Sequence, residues 1–233
     1  MIADFDYAVI VDSLPYLIGE GLVFTLTLTV VATIGGLAFG TLIAVMRLSR
    51  RPPLPQLAAA YVNLLRALPL VLVIFLFYFL MPYFGQWLLN TDQPVKVGAY
   101  YSAFITFTLF EAAYFSEIMR AGIQSIPRGQ VAAGQALGLS QWQVMVNIVL
   151  PQALRNMLPV IITQTIVLFQ DTSLVYVLSL TDFLGATSKV AQREGRLTEL
   201  YLFAAAVYFV VSFSASRLAA RLKSHGSLAA KAQ

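Results

Sequence analysis

Cysteine is absent from the 233 residues, and histidine occurs once, at His225. Without thiols there is no disulfide and no thiolate metal site, and the redox compartment is left open. One imidazole cannot build a metal cluster or a Ser/His/Asp or Cys/His nucleophilic set. Neither a catalytic residue nor a metal site is expected, and His225, in a polar tail, reads as solvated. No GxxxxGK[ST] sequence occurs, so the chain has no P-loop. Charge is scarce too: 11% of residues are charged, where a soluble domain carries about a quarter. The opening residues, MIADFDYAVIVDSLPYL, have Asp4, Asp6 and Asp12 but no basic n-region, which argues against a cleaved signal peptide and for a retained N-terminus.

What is present is apolar. Hydrophobic residues make up 59% of the chain, in blocks long enough for the ~20 residues that cross a bilayer as one helix. The expected class is an all-α integral membrane protein with five spans, at about 21–46, 64–84, 98–119, 157–180 and 199–219. Between the third and fourth, about 35 residues from Ile118 are amphipathic and too polar to cross, so they lie at or beyond the membrane surface. The net charge of +4 comes from basic residues that flank apolar blocks, which membrane topology explains without a nucleic-acid partner.

With the N-terminus outside, the inner side receives Arg47, Arg50, Arg51, Arg66, Arg120, Arg128, Arg155, Arg217, Arg221, Lys223 and Lys231. The outer side receives only Lys96, Lys189, Arg193 and Arg196, together with the acids Asp4, Asp6, Asp12, Asp92, Asp182, Glu194 and Glu199. The positive-inside rule then predicts N-out, C-in and a cytoplasmic middle loop. No internal repeat is visible, and an odd number of spans leaves no room for paired repeats, so a path across the membrane calls for a second subunit.

The middle loop holds the most specific pattern: Ala132-Ala133-Gly134, then Gly138, nine residues to Ile148, then Leu150-Pro151. It predicts a short helix, a turn at Gly138-Leu139 and a second helix that Pro151 separates from the next span. This spacing resembles the EAA loop of binding-protein-dependent ABC importer permeases, with Ala132 where that family usually has Glu. Glu111-Ala112-Ala113 spells the same letters but sits inside the third span without the downstream spacing. The resemblance runs from Gly19 to about Lys223 and is carried further by RALPLVL (66–72), EAAYFSEIMRAGIQSIPRGQ (111–130), LPQALRNMLP (150–159) and FQDTSLVYVLSLTDF (169–183). Within the superfamily these segments are similar to the branch importing polar amino acids, and FQDTSLVYVLSLTDF, Met46-Arg47-Leu48-Ser49 and Tyr61-Val62-Asn63 look most like glutamate/aspartate importer permeases.

The resemblance implies a type I ABC importer permease in the bacterial inner membrane. It divides the chain into an extracytoplasmic segment 1–18, a transmembrane domain 19–223 with a coupling loop 123–151, and a cytoplasmic tail 224–233. It further implies a second permease subunit, expected as a heterodimer, two cytoplasmic ATPases that bind ATP and Mg, and an extracytoplasmic amino-acid-binding protein. This chain would hold no cofactor. The missing carboxylate at Ala132 leaves the docking surface differently paired.

Asp171 falls about 14 residues into the fourth span, roughly 21 Å along a helix, where an acid needs a partner or a wet cavity. Gln170, Thr172 and Ser173 adjoin it, and Gln164 lies one heptad earlier on the same face. In the resembled family this position contributes to an intramembrane amino-acid site, which implies Asp171 for the substrate ammonium group and its neighbours as hydrogen-bonding partners. Two other readings stand beside it: a lock between helices, or an ion site in a secondary transporter or channel. An acidic substrate also needs a cation, and only Arg66 and Arg120 lie near the spans, both toward the cytoplasmic end, so a partner subunit or receptor is expected to supply one. Glu117 and Arg120, three apart, predict a local ion pair, and Glu111 reads as a structural polar anchor. Gly36 and Gly40 permit close helix packing, while Tyr83, Trp87 and Tyr101 mark the outer interface.

Overall fold

The computed structural model describes residues 5–231, with side chains through Leu222. Asp4 lies outside the described residues, and the side chains of Lys223, His225 and Lys231 lie outside the described ones. Helix α1, Tyr7–Tyr16, begins behind Asp6, whose carboxylate accepts from the Ala8 and Val9 N–H groups at 3.0 and 3.4 Å. A π-helical turn at Leu17–Leu22 carries it into α2, Val23–Leu48, making one apolar run of 42 residues. At 1.5 Å per residue that run is about 63 Å long, twice the ~30 Å hydrocarbon core. Residues 7–18, expected as a separate outer segment, are the first turns of the same continuous helix.

Helix α3, Leu54–Ala67, is set apart from α4, Leu70–Leu89, by Leu68, which is extended at φ −103°, ψ 142°. Pro69 causes the break, because the residue before a proline is pushed out of the helical region. The second span therefore starts at Leu70 rather than near residue 64, and Arg66 belongs to the last turn of α3.

Helix α5, Ala99–Gln124, lies where the third span is expected. Among the described residues, four stretches are long and apolar enough to cross a membrane: Tyr7–Leu48, Leu70–Leu89, Gln141–Leu178 and Leu197–Leu222. Helix α5 is long enough but more polar, so the expected five apolar spans become four plus one polar helix that the others enclose. It packs on α2 along much of its length and also touches α3, α4 and α8. Ser102, Thr106, Glu111 and Ser116 are all buried in those contacts. A helix sheathed by neighbours does not need the apolarity that lipid demands.

The close approach of α2 to α5 depends on glycine. A Cβ on Gly40 would come within 3.0 Å of the Ala112 carbonyl and the Ser116 nitrogen, and one on Gly36 within 3.0 Å of Glu111 and Phe115 side-chain atoms. The Gly36/Gly40 pair thus packs inside the chain.

Beyond α5 come α6, Arg128–Ala136; α7, Gln141–Val144; a π-helical turn, Met145–Val149; and α8, Leu150–Asp171. A 3₁₀ stretch, Thr172–Leu178, ends that rod, and α9, Phe183–Glu194, and α10, Leu197–Lys231, complete the fold. Residues 224–231, expected as a tail, continue α10 as helix.

Three apolar clusters hold the bundle. One centres on Leu28, Val62, Phe107, Phe110 and Leu168, and a second joins Leu17 to Phe183, Ala186 and Leu200. The third, Ile126, Val144, Val149, Ala153 and Met157, lies under the middle loop. Arg196 stands 3.8 Å from Asp6, so the N-terminal end and the start of α10 share one end of the molecule. Arg47, Arg66 and Arg120 meet at Glu117 at the far end of the Tyr7–Leu48 rod.

Candidate coupling loop and polar path

The middle loop is a helical hairpin. Helix α6 closes with the Leu137 N–H donating to the Ala133 carbonyl at 3.1 Å and the Leu139 N–H to Gly134 at 3.2 Å. Gly138 has φ +80°, a left-handed conformation that costs other residues about 1–2 kcal/mol. Ser140 then caps α7 through a reciprocal pair: the Gln143 N–H donates to its hydroxyl at 3.3 Å, and its own N–H donates to the Gln143 side chain at 2.8 Å.

Gly134 is buried, and a Cβ there would meet the Ile148 side chain at 2.6 Å and Val144 at 3.0 Å. Gly134 is thus the socket for the Ile148 side chain. Ala132, Ala133 and Leu150 remain exposed, and Leu139 is half-buried against the cluster beneath. At the tip, Leu137 and Trp142 are 81% and 75% exposed, two large apolar side chains that the sequence pattern had not singled out.

Pro151 does not separate the second helix from the next span. Residues Gln141–Leu178 form one apolar helical stretch, in which the Leu150 N–H bonds back to the Met145 carbonyl in π fashion. A proline crowds the carbonyl four residues before it, and the widened turn at Met145–Val149 absorbs that crowding without a break. The loop and the fourth span are therefore joined by unbroken helix.

Farther along that helix, Gln164 Nε2 donates to both carboxylate oxygens of Glu111 at 3.2 Å, tying α8 to α5. Glu111 is 1% exposed. Asp171 is half-buried and within electrostatic range of Glu111, and Tyr114 is within range of Asp171, Glu111 and Arg66. Gln164 and Glu111 are thus in direct contact, while Asp171 makes no hydrogen bond to either among the described contacts. Gln170 does not join them: its Nε2 donates to the Ser212 hydroxyl on α10 at 3.2 Å, because a 100° step per residue carries it to another face. Thr172 is buried and donates to the Phe169 carbonyl of its own rod at 2.7 Å. Ser173 lies half-buried in the 3₁₀ stretch.

Glu117 is the centre of a larger cluster than its sequence spacing suggested. Arg120 donates to its Oε2 at 2.7 Å from Nη2 and 3.0 Å from Nε, and Arg47 of α2 donates to its Oε1. Arg66 of α3 stands 3.8 Å from the same oxygen and lies over the Tyr114 ring, 5.4 Å from its centroid. Only a tertiary contact brings Arg47, 70 positions away, to this carboxylate. A cavity of about 410 Å³ opens beside the cluster, between α5 and α8.

At the opposite end Asp182 caps α9, accepting from the Leu184 and Gly185 N–H groups at 2.9 and 3.1 Å. Burial pushes its carboxyl from the ordinary 3.8 up to about 6, against the opposing effect of those N–H groups and Lys189. The Phe183 N–H donates to the Thr25 hydroxyl at 3.0 Å and locks the start of α9 to α2.

The profile of binding-protein-dependent transport system inner membrane components matches residues 36–225. The chain is 53% identical over 220 residues to the glutamate/aspartate import permease protein GltK of Escherichia coli O6:H1, covering 94% of this chain and 97% of that one. It is 35% identical over 207 residues to the probable glutamine ABC transporter permease protein GlnP of Bacillus subtilis, at 88% and 91% coverage. Among solved structures, an amino acid ABC transporter crystallised with histidines matches at TM-score 0.83 and 29% identity, covering 94% of this chain and 98% of that one.

Proposed function

The chain belongs to the family of binding-protein-dependent transport system inner membrane components, and we propose that it is the permease subunit of an importer for glutamate and aspartate. The similarity that carries this is 53% identity to a glutamate/aspartate import permease across nearly the whole of both chains. The fold is that of a type I ABC importer permease, and the subunit itself is not an enzyme. ATP and Mg belong to two separate cytoplasmic ATPases. A second permease subunit, expected as the other half of a heterodimer, shares the path, and an extracytoplasmic binding protein delivers the amino acid.

The mechanism follows from the unbroken helix. The α6–α7 hairpin offers Leu137 and Trp142 to a groove on the ATPase, and Gly138 holds the turn that presents them. Because α7 runs into α8 as continuous helix, closure of the ATPases on ATP carries α8 with the hairpin. That motion moves Gln164 and Asp171 and opens the path outward, and hydrolysis resets it. Asp171 receives the substrate ammonium group, while the Glu111–Gln164 pair holds α5 and α8 in register. An ion-coupled transporter or channel built on Asp171 finds no support among the relatives.

Coupling is tested at the exposed tip. Leu139→Asp would bury charge in the underlying cluster, so Leu137→Asp and Gly138→Trp are the cleaner variants. Both should insert normally and lower amino-acid uptake and binding-protein-stimulated ATP hydrolysis together, by about tenfold or more, the loss expected when a central apolar anchor worth ~2 kcal/mol is removed. Wild-type stimulated hydrolysis in either variant would defeat the docking assignment.

A further inference from the structure

Three guanidinium groups share one carboxylate at Glu117. Its Oε1 is taken by Arg47 and its Oε2 by Arg120, which also donates to Gln124 at 2.5 Å. Arg66 stands 3.8 Å away, beyond hydrogen-bond distance, with 44% of its side chain exposed. It faces the cavity of about 410 Å³, within the ~300–1,000 Å³ range of small-ligand pockets. The Ser125 hydroxyl and Asn156 amide, 3.1 Å apart, supply polar groups on the wall, and Met157 and Val160 supply apolar ones. Tyr114 of α5 lies under the Arg66 guanidinium and holds it beside the cavity.

We propose that Arg66 and this cavity form a product-side carboxylate site, which takes a carboxylate of a small acidic amino acid as it leaves the Asp171 region for the cytoplasmic end. The charge balance favours an anion: three cations against one carboxylate leave a surplus of two, and Arg66 carries its open share. A guanidinium fork matches a carboxylate in two parallel hydrogen bonds, which a lysine ammonium cannot do. The site answers the problem of the acidic side chain, since the Asp171 carboxylate repels it and Arg66 attracts it. This rests on the path through Asp171 proposed above, and the test separates the two.

The complex, solubilised in mild detergent without binding protein, is titrated calorimetrically with L-glutamate and with glutarate, the same dicarboxylate lacking the ammonium group. Both should bind the wild type saturably. Arg66→Gln should weaken both at least tenfold, and Arg66→Lys, which keeps the charge but loses the fork, at least threefold. Asp171→Asn should weaken glutamate and leave glutarate unchanged. Glutarate that fails to bind the wild type, or binds Arg66→Gln equally well, overturns the proposal. If Arg66→Gln does not assemble, Arg66→Lys decides, and unaltered glutarate affinity in it is equally fatal. Should Asp171→Asn leave glutamate binding intact while Arg66→Gln abolishes it, the ammonium assignment fails and the carboxylate site stands.

Discussion

Asp171 and Asp182 are eleven positions apart and sit in different surroundings. The first is half-buried beside Glu111 and Tyr114, the second fully buried as a helix cap. Asp171→Asn keeps shape and hydrogen bonding while removing charge. It is expected to cut uptake of labelled glutamate and aspartate with melting temperature and binding-protein affinity preserved. A drop in melting temperature and membrane yield instead would identify an interhelical lock. For Asp182 the sign follows from its raised value: burial disfavours the ionised form in the folded state, so its contribution is full below about pH 4 and is lost as pH rises through about 6. Asp182→Asn retains the cap, since Asn serves there as well as Asp. The variant should show a flatter dependence of melting temperature on pH between about 4 and 6 than the wild type. The unusual position of Asp171 was visible in the sequence because an acid in an apolar block is costly. The role of Asp182 was not, because a cap inside a packed bundle looks like any loop acid until Thr25 and α9 are placed against it.

At the scale of elements, the decisive contacts are close approaches. Gly40 lets α2 reach the α5 backbone, so Gly40→Leu must separate the helices or displace Phe115. It should lower stability by about 2–4 kcal/mol, seen as a markedly lower melting temperature in detergent, whereas Gly35→Ala, which meets only the Thr108 side chain, should be milder. An unaltered melting temperature in Gly40→Leu would show that the helices do not pack at this distance. Small residues four apart announce tight packing in any membrane helix, but they do not say which helix is the partner. Here the partner is α5 of the same chain. Pro151 is the opposite case, since its ring predicts a break that the preceding π-helical turn removes.

For the whole molecule, sidedness is the property that a single experiment can overturn. Asp6 and Arg196 occupy one end and Arg47, Arg66 and Arg120 the other, which agrees with the partition of basic residues along the sequence. A periplasm-active reporter fused after Thr91 or Arg193 should be active, and one fused after Gln143 silent. The opposite pattern would move the α6–α7 hairpin to the outside, away from any ATPase.

The sequence by itself determined the membrane class, the basic end and the family, because each rests on composition or on spacing along one chain. A glycine that must turn, or a block apolar enough for lipid, declares itself without reference to distant residues. The tertiary structure alone decided that α5 is enclosed by its neighbours, that α7 and α8 are joined by unbroken helix, and that Arg47 and Arg66 converge on Glu117. The reason is that a polar group inside a membrane is acceptable only beside a partner, and partners 53 or 70 positions away, such as Gln164 for Glu111 and Arg47 for Glu117, are chosen by packing rather than by sequence neighbourhood.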